Sequence, residues 1–252
     1  MKRIFITGAA SGIGRETARR FASEGWFVGI SDRDPGALDA LAQELGDSAS
    51  AHVADVTDYA GLASALADFC GDGGLDAIFN NAGILEMRYF EQTSLERMYD
   101  VVNVNINGVI NGAHAAIPYL RKAEGSKLIN MGSVAGVYGI PEEAVYSGSK
   151  FFVRGMTESI NIELEPEGIW ACDIMVAYVA TPMVQEADRQ AASVGILGVN
   201  VTPEQVADTV WKAANGRQVH WFVTEADFGV AQQVDSMPWE ERRNFVKEIT
   251  GF

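Results

Sequence analysis

Basic residues are scarce in this sequence. Nineteen Lys and Arg stand against 34 Asp and Glu, a net charge of −15, and so acidic a surface repels nucleic acid and anionic lipid. An anionic ligand must then be held by a local feature such as a helix N-terminus. Cysteine is rarer still: Cys70 and Cys172 are the only two, too sparse for a disulfide framework, and they read as separate thiols. His52, His114 and His220 lack metal-ligand spacing, so no metal site is expected. Nothing approaches the ~18 apolar residues of a membrane helix. After Lys2 and Arg3 only Ile4–Phe5–Ile6 precede Thr7, short of the ~7–15 apolar residues of a signal peptide. These absences predict a soluble, cytoplasmic protein with neither nucleic acid nor membrane as partner.

What is present is a globular composition, 48% hydrophobic and 21% charged, which excludes a disordered chain, a coiled coil and a collagen-like fibre. A length of 252 residues without a low-complexity linker suits one α/β domain spanning 1–252. Short apolar runs at Ile4–Ile6, Phe27–Ile30, Ala51–Val53, Leu75–Phe79, Lys127–Met131, Trp170–Val176 and Val219–Val223 lack strict polar alternation, as buried parallel strands do. Helical patterns fall between them at Gly12–Ser23, Pro35–Leu45, Asp58–Phe69, Leu95–Arg121, Ala144–Glu165 and Pro203–Asn215. The alternation predicts a single Rossmann-like, doubly wound parallel sheet of about seven strands with helices on both faces. Residues 183–202, long and glycine-interrupted, read as a substrate lid. The tail, 225–252, reads as helical, with Ser236-Met-Pro-Trp-Glu resembling a cap before a last helix at Glu241–Ile249.

The first strand runs into Thr7-Gly8-Ala9-Ala10-Ser11-Gly12-Ile13-Gly14 and then a helix. Glycines there let backbone N–H groups approach a pyrophosphate, and the helix dipole adds partial positive charge. Asp32 follows Gly12 at the ~20-residue spacing of a ribose-binding acid. Its carboxylate accepts from ribose hydroxyls and repels a 2′-phosphate, which favours NAD over NADP. Two features stand on the other side: Arg33 could attract that phosphate, and Ser31–Gly36 could be no more than a polar turn with a helix cap.

Tyr146 and Lys150 are i and i+4 on a predicted helix, on one face. A cation beside a phenol favours phenolate. Lowering a tyrosine from ~10 toward 7–8 takes about 3–4 kcal/mol and makes an acid/base near neutrality. Alone, such a pair is common on ordinary helix faces.

It is not alone. Thr7–Gly14, Asn80-Asn81-Ala82-Gly83, Asn105 within Val104–Gly108, Ser133, and Tyr146 with Lys150 occur in the order of the short-chain dehydrogenase/reductase family. The chain resembles that family over roughly its first 180 residues, and its glycine spacing resembles the compact, classical branch. The resemblance implies Tyr146 as general acid/base, with Lys150 lowering its pKa and hydrogen-bonding the nicotinamide ribose. It implies Ser133 as holder of the substrate oxygen and Asn105 as positioning a proton-relay water. Gly8, Ser11, Gly12, Ile13, Gly14, Asp32 and Arg33 would bind the cofactor. Asp55 and Val56 match the pair bracketing the adenine; Asn80, which also supports the central strand, Ala82 and Gly83 are implied cofactor-binding residues, as are Tyr146 and Lys150. Val179 and Thr181 match the segment that contacts the carboxamide.

Structural alternatives exist: Ser133 as a turn cap, Asn105 as a polar kink in a helix, Asp55 as a cap for the helix after Thr57. Val176-Ala177 departs from the family's usual Pro-Gly pair, adding a methyl where glycine permits close approach.

Ile84, Leu85, Met87, Tyr89, Val134, Tyr138, Ile140, Tyr178, Met183, Val184, Ile196 and Leu197 are candidate pocket walls. Leu85, Val134, Tyr138, Tyr178, Met183 and Leu197 are the expected substrate contacts. An apolar set of this kind points to a bulky hydrophobic secondary alcohol or ketone, although several could simply pack the lid, and Glu86 and Arg88 could instead select a polar substrate. The expected enzyme is an NAD-dependent alcohol dehydrogenase or ketoreductase. Rivals are an NADP-dependent carbonyl reductase, with Arg33 as its evidence, and a non-catalytic dinucleotide-sensing protein, with Val176-Ala177 as its evidence. A homodimer would pair through Leu95–Arg121 and Ala144–Glu165. A homotetramer is the alternative, although the tail lacks the glycine-rich ending of many tetrameric relatives.

Overall fold

A computed structural model describes residues 1–252. Seven strands are β1 (Arg3–Thr7), β2 (Phe27–Asp32), β3 (Ala49–Val53), β4 (Ala77–Asn80), β5 (Lys127–Met131), β6 (Trp170–Met175) and β7 (His220–Phe222). They form one sheet in the order β3-β2-β1-β4-β5-β6-β7, every neighbouring pair parallel. The order reverses between β1 and β4. In open α/β sheets such a reversal opens a crevice beyond the C-terminal strand ends, where ligands bind.

Both faces of the sheet are covered, so the strands carry apolar side chains on both sides. Between β1 and β2 runs α1 (Gly12–Ser23), then α2 (Pro35–Leu45) before β3 and α3 (Tyr59–Cys70) before β4. On one face, α1 buries Ala18 and Phe21 beside α9 (Pro203–Asn215). There Phe21 meets Trp26 and Trp211 edge-on, each at 5.1 Å between ring centroids, a geometry that favours the aromatic quadrupoles. On the other face α3 packs Leu62, Leu66 and Phe69 against α5 (Gly108–Leu120). Both cysteines are free and buried in these two cores.

Local chemistry fixes several boundaries. Asp34 accepts from the amides of Gly36 and Ala37 and Pro35 sits at the first helical position, so α2 starts where expected. Thr202 and Gln205 form a reciprocal capping box that starts α9. The cap of α3 is Asp58, which accepts from the Ala60 amide; Asp55 instead accepts from the Thr57 amide and hydroxyl, both at 2.8 Å.

Two expectations about helices are corrected. The stretch Leu95–Arg121 is not one regular helix: α4 (Leu95–Val102) passes through a π-helical turn at Asn103–Asn107 before α5. The cause is long-range, because Asn105 in that turn is held to the backbone of Ile84. The tail holds two helices, α10 (Glu225–Ser236) and α11 (Trp239–Thr250). Ser236 is no cap. It ends α10 with its hydroxyl on the Gln233 carbonyl, and Pro238 precedes α11. Buried Ala231 and Val234 of α10 pack onto Val134–Ile140, and this packing forms the helix.

After β6 the segment equated above with a lid contains two short helices, α7 (Pro182–Gln185) and α8 (Ala192–Leu197). The long helix α6 (Ala144–Leu164) runs between β5 and β6. No helix is long and apolar enough to cross a membrane.

Candidate active site

A cavity of about 330 Å³ opens at the C-terminal strand ends around the β1/β4 reversal. One end is built by the turn from β1 to α1. Gly8 and Gly12 adopt φ of +64° and +51°, conformations that disfavour any side chain. A Cβ on Gly14 would lie 2.2 Å from the Gly8 carbonyl oxygen, so the turn folds back on its own helix only with glycine there. Ser11 caps α1 without a side-chain hydrogen bond, which leaves the first-turn amides and the helix dipole to an anion.

The turn is clasped by Asn81, whose amide donates to the carbonyls of Thr7 (2.9 Å) and Gly8 (3.0 Å). Thr7 Oγ1 in return accepts from the Asn81 and Ala82 amides, both at 3.1 Å. The sequence reading passed over Asn81. Its neighbour Asn80, grouped above with the cofactor residues, lies off the cavity wall: it is buried between strands and donates to Asn130 Oδ1 at 2.9 Å.

Asp32 lies at the cavity edge with Arg33. Its carboxylate accepts from the Ala10 amide (3.1 Å) and the Asp34 amide (3.2 Å), so the glycine-rich turn itself orients it. Gly8, Ser11, Gly12, Ile13, Asp55, Val56, Ala82, Gly83, Val179 and Thr181 also line the cavity. Gly14 lies behind the wall, as the residue that lets the turn close. The donors, the φ-positive glycines and the acidic edge fit a dinucleotide's pyrophosphate and ribose.

At the other end Ser133, Tyr146 and Lys150 share one wall. Ser133 follows β5, its hydroxyl accepting from the Ala135 amide (3.1 Å) and donating to the Val176 carbonyl (3.2 Å). Lys150 Nζ donates to the Met131 carbonyl at 2.7 Å and sits 5.5 Å from the Tyr146 ring centroid. Asn105 lies behind this wall. It accepts from the Ile84 amide and donates to the Ile84 carbonyl, both at 2.9 Å, and reaches Ser149 Oγ at 3.2 Å.

The electrostatics here run against the i,i+4 expectation. Burial lowers Lys150 to about 8, opposed by the charge of Asp173. Burial, then the charge of Glu143, raises the Tyr146 phenol above its ordinary value, while Ser133 pulls the other way. Tyr146 is half-buried, in the cavity wall and against the Val134–Ile140 cluster. A low-dielectric surrounding penalises phenolate, and Lys150 is committed to Met131. In the free chain the Tyr146 phenol is held protonated.

The substrate walls are partly as expected. Ile84, Leu85, Val134, Ile140, Tyr178, Met183, Val184 and Leu197 line the cavity. Tyr138 does not: it is buried in the cluster beneath α10, where burial raises its phenol. Met87 packs under the α7–α8 segment, Ile196 is exposed, and Tyr89 lies on the surface under Arg189. Glu86 and Arg88 also fall outside, Glu86 pairing with Arg97 at 3.0 Å and Arg88 at 3.2 Å.

Glu143, just before α6, is a wall residue that sequence reasoning missed. It is buried and its carboxyl is pushed up to about 7, chiefly by burial, opposed by the Tyr178 hydroxyl and reinforced by Glu142. The folded chain thus holds this proton more tightly than the unfolded chain. Stability from it is full below the ordinary value of 4.5 and declines as pH rises through about 7. That amounts to about 3 kcal/mol. Glu143→Gln should therefore lose less melting temperature than the wild type between pH 5 and 8, by several degrees at ~2–4 °C per kcal/mol. Equal losses in thermal melts of the two proteins would contradict the assignment.

Comparison with known proteins agrees with this geometry. The family model described as short chain dehydrogenase matches residues 2–192. The 3-oxoacyl-(acyl-carrier-protein) reductase of Thermotoga maritima is 33% identical over 217 residues, 83% of this chain and 88% of its own. Among solved structures, the 3-ketoacyl-(acyl-carrier-protein) reductase of Brucella melitensis complexed with NADH matches at a TM-score of 0.79 and 29% identity, over 88% of this chain and 96% of that one. A closed serine dehydrogenase complexed with NADP+ matches at 0.79 and 26% identity, over 87% and 93% of the two chains.

Proposed function

The chain belongs to the short-chain dehydrogenase family of oxidoreductases, and on that premise we propose that it transfers a hydride reversibly between NAD(H) and a bulky, hydrophobic secondary alcohol or ketone. The observation that supports this most strongly is one cavity with two chemically different ends: the glycine-rich turn and Asp32 at one, Ser133, Tyr146 and Lys150 at the other. When bound, the nicotinamide supplies the hydride acceptor or donor.

The chain's own groups handle the proton. In reduction, Ser133 and Tyr146 hydrogen-bond the ketone oxygen, and Tyr146 gives up its proton as the carbinol C–H bond forms. In oxidation Tyr146 Oη takes the hydroxyl proton as the carbinol C–H bond breaks. Lys150 Nζ, on leaving the Met131 carbonyl, would hold the nicotinamide ribose and stabilise the phenolate that reduction leaves. Asn105, fixed through Ile84 and Ser149, positions the water that returns the proton to solvent. The α7–α8 segment acts as a lid that excludes water. Convergence of Ser133, Tyr146 and Lys150 on one wall favours catalysis over a dinucleotide-sensing role.

Asp32 supports NAD. Two backbone amides hold its carboxylate at the cavity edge, where it would repel a 2′-phosphate. Arg33 at the same edge is the observation favouring NADP. Asp32→Ala should raise the ratio of kcat/KM for NADP over NAD by about tenfold or more, since one unfavourable charge contact of 1.4 kcal/mol already gives that factor. An unchanged ratio would remove Asp32 from cofactor selection.

The apolar wall of Leu85, Val134, Ile140, Tyr178, Met183 and Leu197 supports the substrate class. NADH absorbance with a panel of ketones tests it. Aryl and large alkyl ketones should turn over, whereas turnover confined to small charged compounds would reject it. We also assign a homodimer paired through α4–α5 and α6, whose outer faces carry exposed Leu95, Tyr99, Phe151 and Ile162.

A further inference from the structure

We propose that Glu143 is a specificity-determining residue whose second carboxylate oxygen receives a hydrogen-bond donor, a hydroxyl or an ammonium, carried by the substrate on the carbon next to the reacting one. The assignment rests on the dehydrogenase function proposed above and narrows its substrate class to apolar ketones and alcohols bearing one such donor.

Position is the first argument. Glu143 immediately precedes α6 and stands three residues before Tyr146, a spacing that puts neighbouring side chains on one side of the helix start. Both line the cavity. Val134, Ile140, Tyr178, Met183 and Val184 also line it, so this carboxyl is the one acidic group at the cavity end that holds Ser133, Tyr146 and Lys150.

Incomplete satisfaction is the second. Glu143 is 2% exposed. Oε1 accepts from the Tyr178 hydroxyl at 2.5 Å, and that hydroxyl is paired with Ser193 Oγ at 2.7 Å. Oε2 has no hydrogen-bond partner in the protein and keeps a small accessible surface. It therefore opens to the cavity. An ionised carboxylate offers about four lone-pair sites; buried with most of them unused it takes up a proton instead, and a donor on a ligand would fill them in the proton's place.

The adjacent acid shows the contrast. Glu142 is used up structurally: one oxygen pairs with Arg189 and the other accepts from the Ala192 amide at 2.7 Å. It ties the lid to α6. Glu143 has no such cation, since Lys150, on the same wall, donates to Met131. A substrate with only apolar surface would leave Oε2 unpaired. One with a donor beside the carbonyl would fill it while its oxygen reaches Tyr146.

Three ketones of nearly equal size test this with the full chain: propiophenone, α-hydroxyacetophenone and α-aminoacetophenone. kcat/KM with NADH and dissociation constants by calorimetry in the presence of NAD+ are measured for each. The wild type should favour the hydroxy or amino ketone over propiophenone by about 10–100-fold, the usual consequence of leaving a buried polar group unpaired. Glu143→Leu should reduce that ratio to within about twofold, and Glu143→Gln should lose the preference for the ammonium over the hydroxyl. Reduction of all three at similar wild-type rates overturns the role of Glu143 and leaves the dehydrogenase standing. Donor-selective binding abolished in Glu143→Leu, without turnover, overturns the dehydrogenase and keeps the recognition role. Neither selective binding nor turnover overturns both.

Discussion

Replacing Tyr146 with Phe should lower turnover by about 10²–10⁴-fold, the range for removal of a positioned acid/base, with little change in fold or in dinucleotide affinity. The substitution deletes one hydroxyl from a side chain already in the cavity wall. Burial and the Glu143 charge both hold the wild-type phenol protonated, so the chain starts as the donor that ketone reduction needs. Alcohol oxidation needs phenolate. The wild-type oxidation rate should therefore climb with pH through the neutral and alkaline range, and the reduction rate should not. Stopped-flow NADH absorbance in both directions measures this, and Tyr146→Phe should have no such limb. Turnover near the wild-type rate would take the proton chemistry away from Tyr146.

Gly14→Ala should damage the other end of the cavity. The added Cβ would lie 2.2 Å from the Gly8 carbonyl oxygen and 2.6 Å from Asn81 Nδ2. Neither is a free side-chain end: one is backbone, and the other is held by the carbonyls of Thr7 and Gly8. Relief requires the turn to shift away from α1. Overpacking of this kind costs about 1–3 kcal/mol, or roughly 5 °C of melting temperature for a chain this long. Dinucleotide affinity should fall about tenfold or more, because the shifted turn is the pyrophosphate cradle. Gly229→Ala is the control: Gly229 lies in α10, away from the cavity, with nothing within 4 Å of an added Cβ, so it should be neutral or stabilising by up to ~1 kcal/mol. Equal melting temperatures and cofactor dissociation constants for the two variants would contradict the steric argument.

What was legible in the sequence was what neighbouring residues determine. α1, α2 and α9 start and stop as read, because Asp34-Pro35 and Thr202-Pro203 with Gln205 carry their caps locally. The glycine turn, Asp32 and the Tyr146/Lys150 pair are likewise local patterns, and they meet in one cavity.

What escaped depends on distant contacts. The π-helical turn around Asn105 is set by Ile84, 21 residues away. α10 has a buried stripe only once Val134–Ile140 lies beneath it. Tyr138 reads as one more aromatic near the site, yet it turns into that cluster. Asn80 and Asn81 look alike in sequence, and only the register of β4 beside β5 sends the first toward Asn130 and leaves the second at the turn. Glu143 carries no local signal, because Tyr178 and Ser193, the hydroxyls that line up on it, arrive 35 and 50 residues later (178 − 143 and 193 − 143). The same burial reverses the expected shift at Tyr146, since spacing reveals a nearby cation but not its commitment to Met131.

A crystal structure of the ternary complex with NAD+ and an unreactive alcohol analogue tests proton transfer by Tyr146 most directly. Tyr146 Oη and Ser133 Oγ should each lie about 3 Å from the analogue's oxygen, with Lys150 Nζ turned from Met131 toward the cofactor ribose. An analogue oxygen bound away from both hydroxyls, with Lys150 still on Met131, would contradict it.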